Sequence, residues 1–241
     1  MPDVSELSVK IFADGANLDD IKSLRANPII KGFTTNPTLM RGADVSDYEA
    51  FSKEVLDVID GAPVSFEVFA DDFDEMEAQA KVIAGWGDNV FVKIPITNTA
   101  GESSVPLVER LSNAGVQVNV TAIFTLQQVS EVTAALASDV AANVSVFAGR
   151  IADTGIDPVP HMREAVSIIA AKPKSELIWA SPRELLNLFH ADEVGCQIIT
   201  VTPDILKKMA LIGKDLAEYS RETVQMFYND ATSAGYNIST S

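Results

Sequence analysis

Val90-Phe91-Val92-Lys93-Ile94 sets a single lysine inside an apolar, β-branched run. Successive strand side chains point to opposite faces, so Val90, Val92 and Ile94 share one face, and Phe91 and Lys93 the other. Helical patterns at 74–84 and 102–113 flank the run, which makes it one strand of repeated βα units around a parallel sheet. Working outward, the alternation recurs. Strand-like runs are read at 9–14, 32–35, 64–69, 90–94, 116–121, 144–147, 177–180 and 197–201. Helices are read at 18–25, 47–59, 74–84, 102–113, 126–137, 158–171, 183–189 and 203–212. Eight such units close a (β/α)8 TIM barrel, for which about 250 residues is the usual size. The expected fold is therefore α/β, one barrel domain over residues 1–241. A further helix at 214–228 exceeds what eight units need and suits packing or oligomer contact; the small, polar tail at 229–241 is expected to fray. Thr99-Ala100-Gly101-Glu102 reads as a capping box that opens the fourth helix.

Parity sorts the side chains once the barrel is closed. The β-branched set packs under the helices and the other set turns inward. Val9, Ile11 and Ala13 go outward and Asp14 inward; Val64, Phe66 and Val68 go outward and Glu67 inward. Val116, Val118 and Val120 outward leave Asn119 and Thr121 inward, and Val144 and Val146 outward leave Ser145 and Phe147 inward. A lysine and two carboxylates thus converge near the C-terminal mouth, where active sites of this architecture lie. Asp14 or Asn119 alone reads better as a strand-end cap than as a functional group. Lys93 does not, because an ammonium inside an apolar strand is costly to desolvate and a closed barrel offers no edge. Beside Glu67 and Asp14 it points to catalysis over a structural ion pair.

Composition narrows the function classes. A formal net charge of −16 argues against nucleic acid, whose phosphates are bound by basic patches, so an anionic ligand would need locally placed arginines. Cys196 is the only cysteine, which excludes an internal disulfide, and Met1-Pro2-Asp3-Val4-Ser5-Glu6 lacks the features of a signal peptide. No stretch approaches the ~18 apolar residues of a membrane span, so a cytoplasmic location is expected. His161 and His190 have no companion at ligand spacing, and neither a metal nor another cofactor is expected. The chemistry left for an inward lysine is a Schiff base with a carbonyl substrate. The iminium is itself the electron sink, while Asp14 and Glu67 are placed for proton transfer and for the water lost and regained.

Seven segments together resemble the transaldolases over residues 8–228: Ala13-Asp14, Thr34-Thr35-Asn36-Pro37, Phe66-Glu67-Val68, Val92-Lys93-Ile94-Pro95, Asn119-Val120-Thr121, Phe147-Ala148-Gly149-Arg150 and Ala180-Ser181-Pro182-Arg183. Each is a modest signal; their order and spacing are specific. The resemblance implies that Lys93 is the Schiff-base residue, Asp14 the acid/base of carbon–carbon cleavage, and Glu67 with Thr121 the holders of a catalytic water. It implies that Thr34, Asn36, Asn119 and Ser145 serve the dihydroxyacetone unit, with Phe147 beside them, and that Arg150, Ser181 and Arg183 hold phosphate. Forked arginine donors suit that task.

The implied reaction moves a dihydroxyacetone unit from sedoheptulose 7-phosphate or fructose 6-phosphate to glyceraldehyde 3-phosphate or erythrose 4-phosphate, in the non-oxidative pentose phosphate pathway. The resemblance also implies a homo-oligomer, since relatives of this length form dimers, pentamers or decamers. Fructose-6-phosphate aldolases, which release free dihydroxyacetone, resemble the chain as well but carry Gln in place of Glu67 and Tyr in place of Phe147. A sugar-phosphate-binding protein without turnover is the other alternative. Two positions depart from the family pattern: Gly15 stands where Thr or Ser is frequent, and Pro182 where an apolar or aromatic residue is usual. Proline removes an amide and fixes φ, which puts the local loop shape and phosphate affinity in question.

Overall fold

Eight parallel strands pair in sequence order and the last closes on the first. The strands are β1 (Lys10–Asp14), β2 (Ile30–Thr34), β3 (Val64–Glu67), β4 (Val90–Pro95), β5 (Val118–Ile123), β6 (Ala142–Val146), β7 (Ser175–Trp179) and β8 (Ile198–Val201). The structure, a computed structural model, describes residues 4–43 and 45–240. Helices in chain order are α1 (Leu18–Arg25), α2 (Pro37–Gly42), α3 (Tyr48–Ile59), α4 (Phe73–Ala84), α5 (Val105–Asn113), α6 (Leu126–Ala135), α7 (Ala148–Asp153), α8 (Pro158–Ile169), α9 (Leu186–Glu193), α10 (Pro203–Lys207) and α11 (Leu216–Ser233). The chain divides into two compact units between Lys207 and Lys208, the first containing the barrel.

Local chemistry sets the helix starts. Asn17, Asn36, Asp47, Asp72 and Asp157 each accept a hydrogen bond from an otherwise unpaired amide in the first turn that follows, as short oxygen-bearing side chains at that position do. The expected capping box at Thr99 does not form. Asp71 takes both the Thr99 amide at 2.7 Å and its hydroxyl at 2.6 Å; residues 98–101 make a turn closed by the Gly101 amide on the Asn98 carbonyl, and α5 starts at Val105. The box occurs on α6, where Thr125 and Gln128 satisfy each other's backbone amides. The short helices α2 and α7 follow β2 and β6 and were not expected.

The parity reading holds inside and out. Phe12, Ile178, Ala180 and Ile198 form an apolar cluster within the barrel, with Phe147 packed against it. Gly32 makes room for it, because a Cβ there would sit 2.5 Å from the Phe12 ring. Phe66, of the opposite parity to Glu67, packs its ring against Tyr48 and Trp86 at centroid distances of 6.3 and 5.7 Å.

In the second unit α11 starts on Asp215, whose carboxylate accepts from the Glu218 amide. It runs to Ser233, past the 228 expected, and exposes Leu216, Val224, Met226, Phe227 and Tyr228. Among the described residues no helix is long and apolar enough to cross a membrane.

Candidate active site

Lys93 is 7% exposed. Its ammonium donates to the Thr35 carbonyl at 3.0 Å and lies 3.7 Å from Glu67 Oε2. Glu67 faces Lys93 in the β3–β4 register, which is how parity on two neighbouring strands becomes an ion pair. Burial pushes the Glu67 carboxyl above its ordinary value, and the Lys93 charge opposes that shift.

Asp14 ends β1. Its Oδ1 accepts from the Thr34 hydroxyl at 2.7 Å, and its Oδ2 from the Asn36 amide at 3.4 Å. Burial raises this carboxyl as well, against the Lys93 charge and the two hydrogen bonds. Asn36 has a second task, since its Oδ1 caps α2 through the Leu39 amide at 3.0 Å; the cap fixes the rotamer that reaches Asp14.

These groups line a cavity of about 520 Å3, with Thr121, Ser145, Phe147, Arg150, Ser181 and Arg183 in the same wall. Every expected site residue except Asn119 is in that lining. Asn119 is fully buried one layer deeper, donating to Ser65 Oγ at 2.8 Å and accepting from Ser145 Oγ at 2.7 Å. It therefore joins β3, β5 and β6 across the interior and orients the hydroxyl that reaches the cavity. Among the described residues Thr121 Oγ1 has no protein partner and is buried, a donor and acceptor left for a small polar guest. Immediately after it Ala122 takes φ 59, where β5 loses its register with β6.

Phosphate-sized anions would meet two arginines at the mouth. The Arg150 guanidinium lies 5.4 Å from the centroid of the Phe147 ring, within cation–π range. Ser181 takes φ 58 ahead of Pro182, an unfavourable backbone for both reasons. That turn brings its carbonyl so close to Gly149 that a Cβ there would sit 1.6 Å from it. Non-glycine residues in this region concentrate at functional sites, and here two of them line one cavity.

The sequence profile of the Transaldolase/Fructose-6-phosphate aldolase family matches residues 11–239. The chain belongs to that family. A probable transaldolase of Dehalococcoides mccartyi (strain ATCC BAA-2266 / KCTC 15142 / 195) is 36% identical over 83% of the chain and 90% of its own length. One of Methanococcus maripaludis (strain C5 / ATCC BAA-1333) is 36% identical over 83% and 89%. A solved structure of a putative phosphonomutase from Burkholderia cenocepacia J2315 superposes with a TM-score of 0.57 at 14% identity, covering 88% of this chain and 96% of that one; this likeness is one of fold.

Membership in the transaldolase/fructose-6-phosphate aldolase family makes the chain a Schiff-base-forming enzyme of the aldolase/transferase kind, with sugar phosphates as its class of substrate. Beyond the residues foreseen, Thr200 and Thr202 also line the cavity, Thr200 in direct hydroxyl contact with Thr34. Extending the parity of Ile198 along β8 would have found both. Cys196, by contrast, is buried and its thiol is pushed up to about 12 by that burial, so it offers no thiolate.

Proposed function

We propose that this enzyme is a transaldolase, carrying a dihydroxyacetone unit from fructose 6-phosphate or sedoheptulose 7-phosphate to erythrose 4-phosphate or glyceraldehyde 3-phosphate. The observation that carries the reading is the position of Lys93: among the described residues it is the one lysine in the cavity wall, with a carboxylate at ion-pair distance. Glu67 takes the proton that the ammonium must shed before the amine adds to the C2 carbonyl of the ketose, and water leaves to give the imine. Asp14 then removes the proton of the C4 hydroxyl. The C3–C4 bond breaks, the aldose phosphate departs, and its electrons rest in the three-carbon enamine on Lys93. The enamine adds to the aldehyde carbon of the acceptor, Asp14 returns the proton, and water held by Glu67 and Thr121 hydrolyses the new imine.

Thr34, Asn36 and Ser145 bind the hydroxyls of the three-carbon unit, Asn119 acts through Ser145, and Arg150, Ser181 and Arg183 take the phosphate. Transfer is preferred to release because Phe147 puts an apolar ring where a hydroxyl would order water, and Glu67 stands where the aldolases have Gln. The apolar side chains exposed along α11 support assembly into a homo-oligomer.

Product analysis tests the reading. With fructose 6-phosphate and erythrose 4-phosphate the enzyme is expected to form sedoheptulose 7-phosphate faster than it releases free dihydroxyacetone. Release at the same rate with and without acceptor would assign it to the aldolase branch.

A further inference from the structure

The hydrogen-bond ladder between β2 and β3 stops one rung before the site, and a side chain from outside the barrel takes over. The Thr35 amide donates to the Ser65 carbonyl at 3.3 Å. In a continued parallel ladder the next rung would carry the Glu67 amide to the Thr35 carbonyl. Instead the Glu67 amide donates to the Tyr48 hydroxyl at 2.8 Å, and that hydroxyl donates to the Glu67 carbonyl at 3.0 Å. The Thr35 carbonyl, left without its strand partner, accepts the Lys93 ammonium at 3.0 Å.

We infer that Tyr48 is a positioning residue for Glu67 and, by freeing the Thr35 carbonyl, for Lys93; this rests on the reading of Lys93 as the imine-forming amine. Tyr48 is not in the cavity wall. It opens α3, and its ring is gripped edge-on by Phe66, Phe69 and Trp86 at centroid distances of 6.3, 4.5 and 5.9 Å. Four rings therefore fix the place of one hydroxyl, which satisfies both backbone groups of the residue bearing the carboxylate. Burial holds the phenol protonated, as its donation to the Glu67 carbonyl requires. Without the hydroxyl, the orphaned Glu67 amide has the Thr35 carbonyl as its nearest backbone alternative, because an unpaired buried amide is costly. Zipping that rung would draw Glu67 toward β2 and take from Lys93 the acceptor that orients it.

The test is Tyr48→Phe, which keeps the ring in its cluster, made in the wild-type and the Glu67→Gln backgrounds. We expect kcat for transfer to fall about tenfold, a fraction of the 10²–10⁴ that acid–base catalysis contributes, with KM for fructose 6-phosphate within about twofold because the phosphate residues are untouched. In the Glu67→Gln background the same change is expected to cost less, about threefold, because the part that acts through the Glu67 carboxylate is already gone while the part that acts through Lys93 remains. Equal losses in the two backgrounds would overturn the inference, and a general loss of folded protein would give that same result. A kcat for Tyr48→Phe within twofold of wild type would also overturn it. Borohydride reduction of the wild type with fructose 6-phosphate is run alongside. A Lys93 adduct with no Tyr48 effect rejects the positioning role alone, whereas no adduct rejects the underlying reading and the inference with it.

Discussion

Arg183 and Asp153 are joined along one edge of the guanidinium: Nε donates to Oδ1 at 2.9 Å and to Oδ2 at 3.1 Å, and Nη2 donates to Oδ2 at 2.5 Å. Nη1 donates to the Ser181 carbonyl at 3.2 Å and its hydroxyl at 3.0 Å. With five N–H donors on a guanidinium, only one remains for an incoming phosphate. Both partners are about half exposed, where an ion pair contributes little, so a dianionic phosphate can take the Asp153 edge. Arg183→Ala is expected to raise KM for phosphorylated ketoses roughly tenfold to a hundredfold, the equivalent of ~1.5–3 kcal/mol for a charged hydrogen bond. Asp153→Asn removes the resident competitor and should lower the same KM by a few-fold. Steady-state kinetics on both variants decides, and an unchanged KM in Arg183→Ala takes Arg183 out of the phosphate site.

Phe147→Tyr adds a hydroxyl inside the cavity. It could order water beside the enzyme-bound three-carbon unit, so free dihydroxyacetone should rise and transfer to the acceptor fall, with imine formation retained. If Phe147 serves only to pack against Phe12 and Ile178, the hydroxyl costs stability and both products fall together. Quantifying both products on one preparation separates the outcomes.

The raised carboxyls give a pH dependence of known sign. Burial lifts Asp14 above its ordinary value in the folded chain, so between the ordinary carboxylate range and the raised value the folded state binds more protons than the unfolded one. Stability therefore falls as pH rises through that window. Asp14→Asn removes the contribution. It should melt above the wild type at pH 7 by a few degrees, about 1 kcal/mol corresponding to roughly 2–4 °C in a chain of this size. The gain should shrink toward pH 4, while activity is lost at every pH. A variant that melts below wild type at pH 7 would show the ionised Asp14 to be stabilising.

Gly149→Ala should disturb the loop at Ser181 that is proposed to bind phosphate. The added Cβ would meet the Ser181 carbonyl at 1.6 Å, and backbone cannot rotate away as a side chain can. Overpacking of this kind costs typically 1–3 kcal/mol, so a lower Tm is expected together with a higher KM for phosphorylated substrates. Retained Tm and KM would mean that the loop can shift without consequence.

The barrel and its inward residues were legible because period 2 on β-branched strands is a direct image of two environments. Lys93, Glu67, Asp14 and Ser145 follow from it without further information. Contacts between distant elements were not. Nothing in the residues around Tyr48 says that its hydroxyl finishes a ladder for Glu67, and nothing near Asp153 says that it holds Arg183, since both depend on where helices settle after the barrel closes. Thr99 failed as a cap for the same reason: its hydroxyl and amide had a better partner in Asp71, 28 residues earlier. Asn119 was rightly turned inward, but parity gives the side and not the depth, and it lies beneath Ser145 rather than in the cavity wall.

On the proposed mechanism Lys93 carries the substrate as an imine. Reducing the enzyme with borohydride in the presence of fructose 6-phosphate and mapping the adduct by peptide mass spectrometry tests it most directly. A stable adduct is expected on the peptide containing Lys93, and neither adduct nor turnover in Lys93→Ala. Wild-type trapping that persists in Lys93→Ala on another lysine, or no trapping while the wild type turns over, would contradict it.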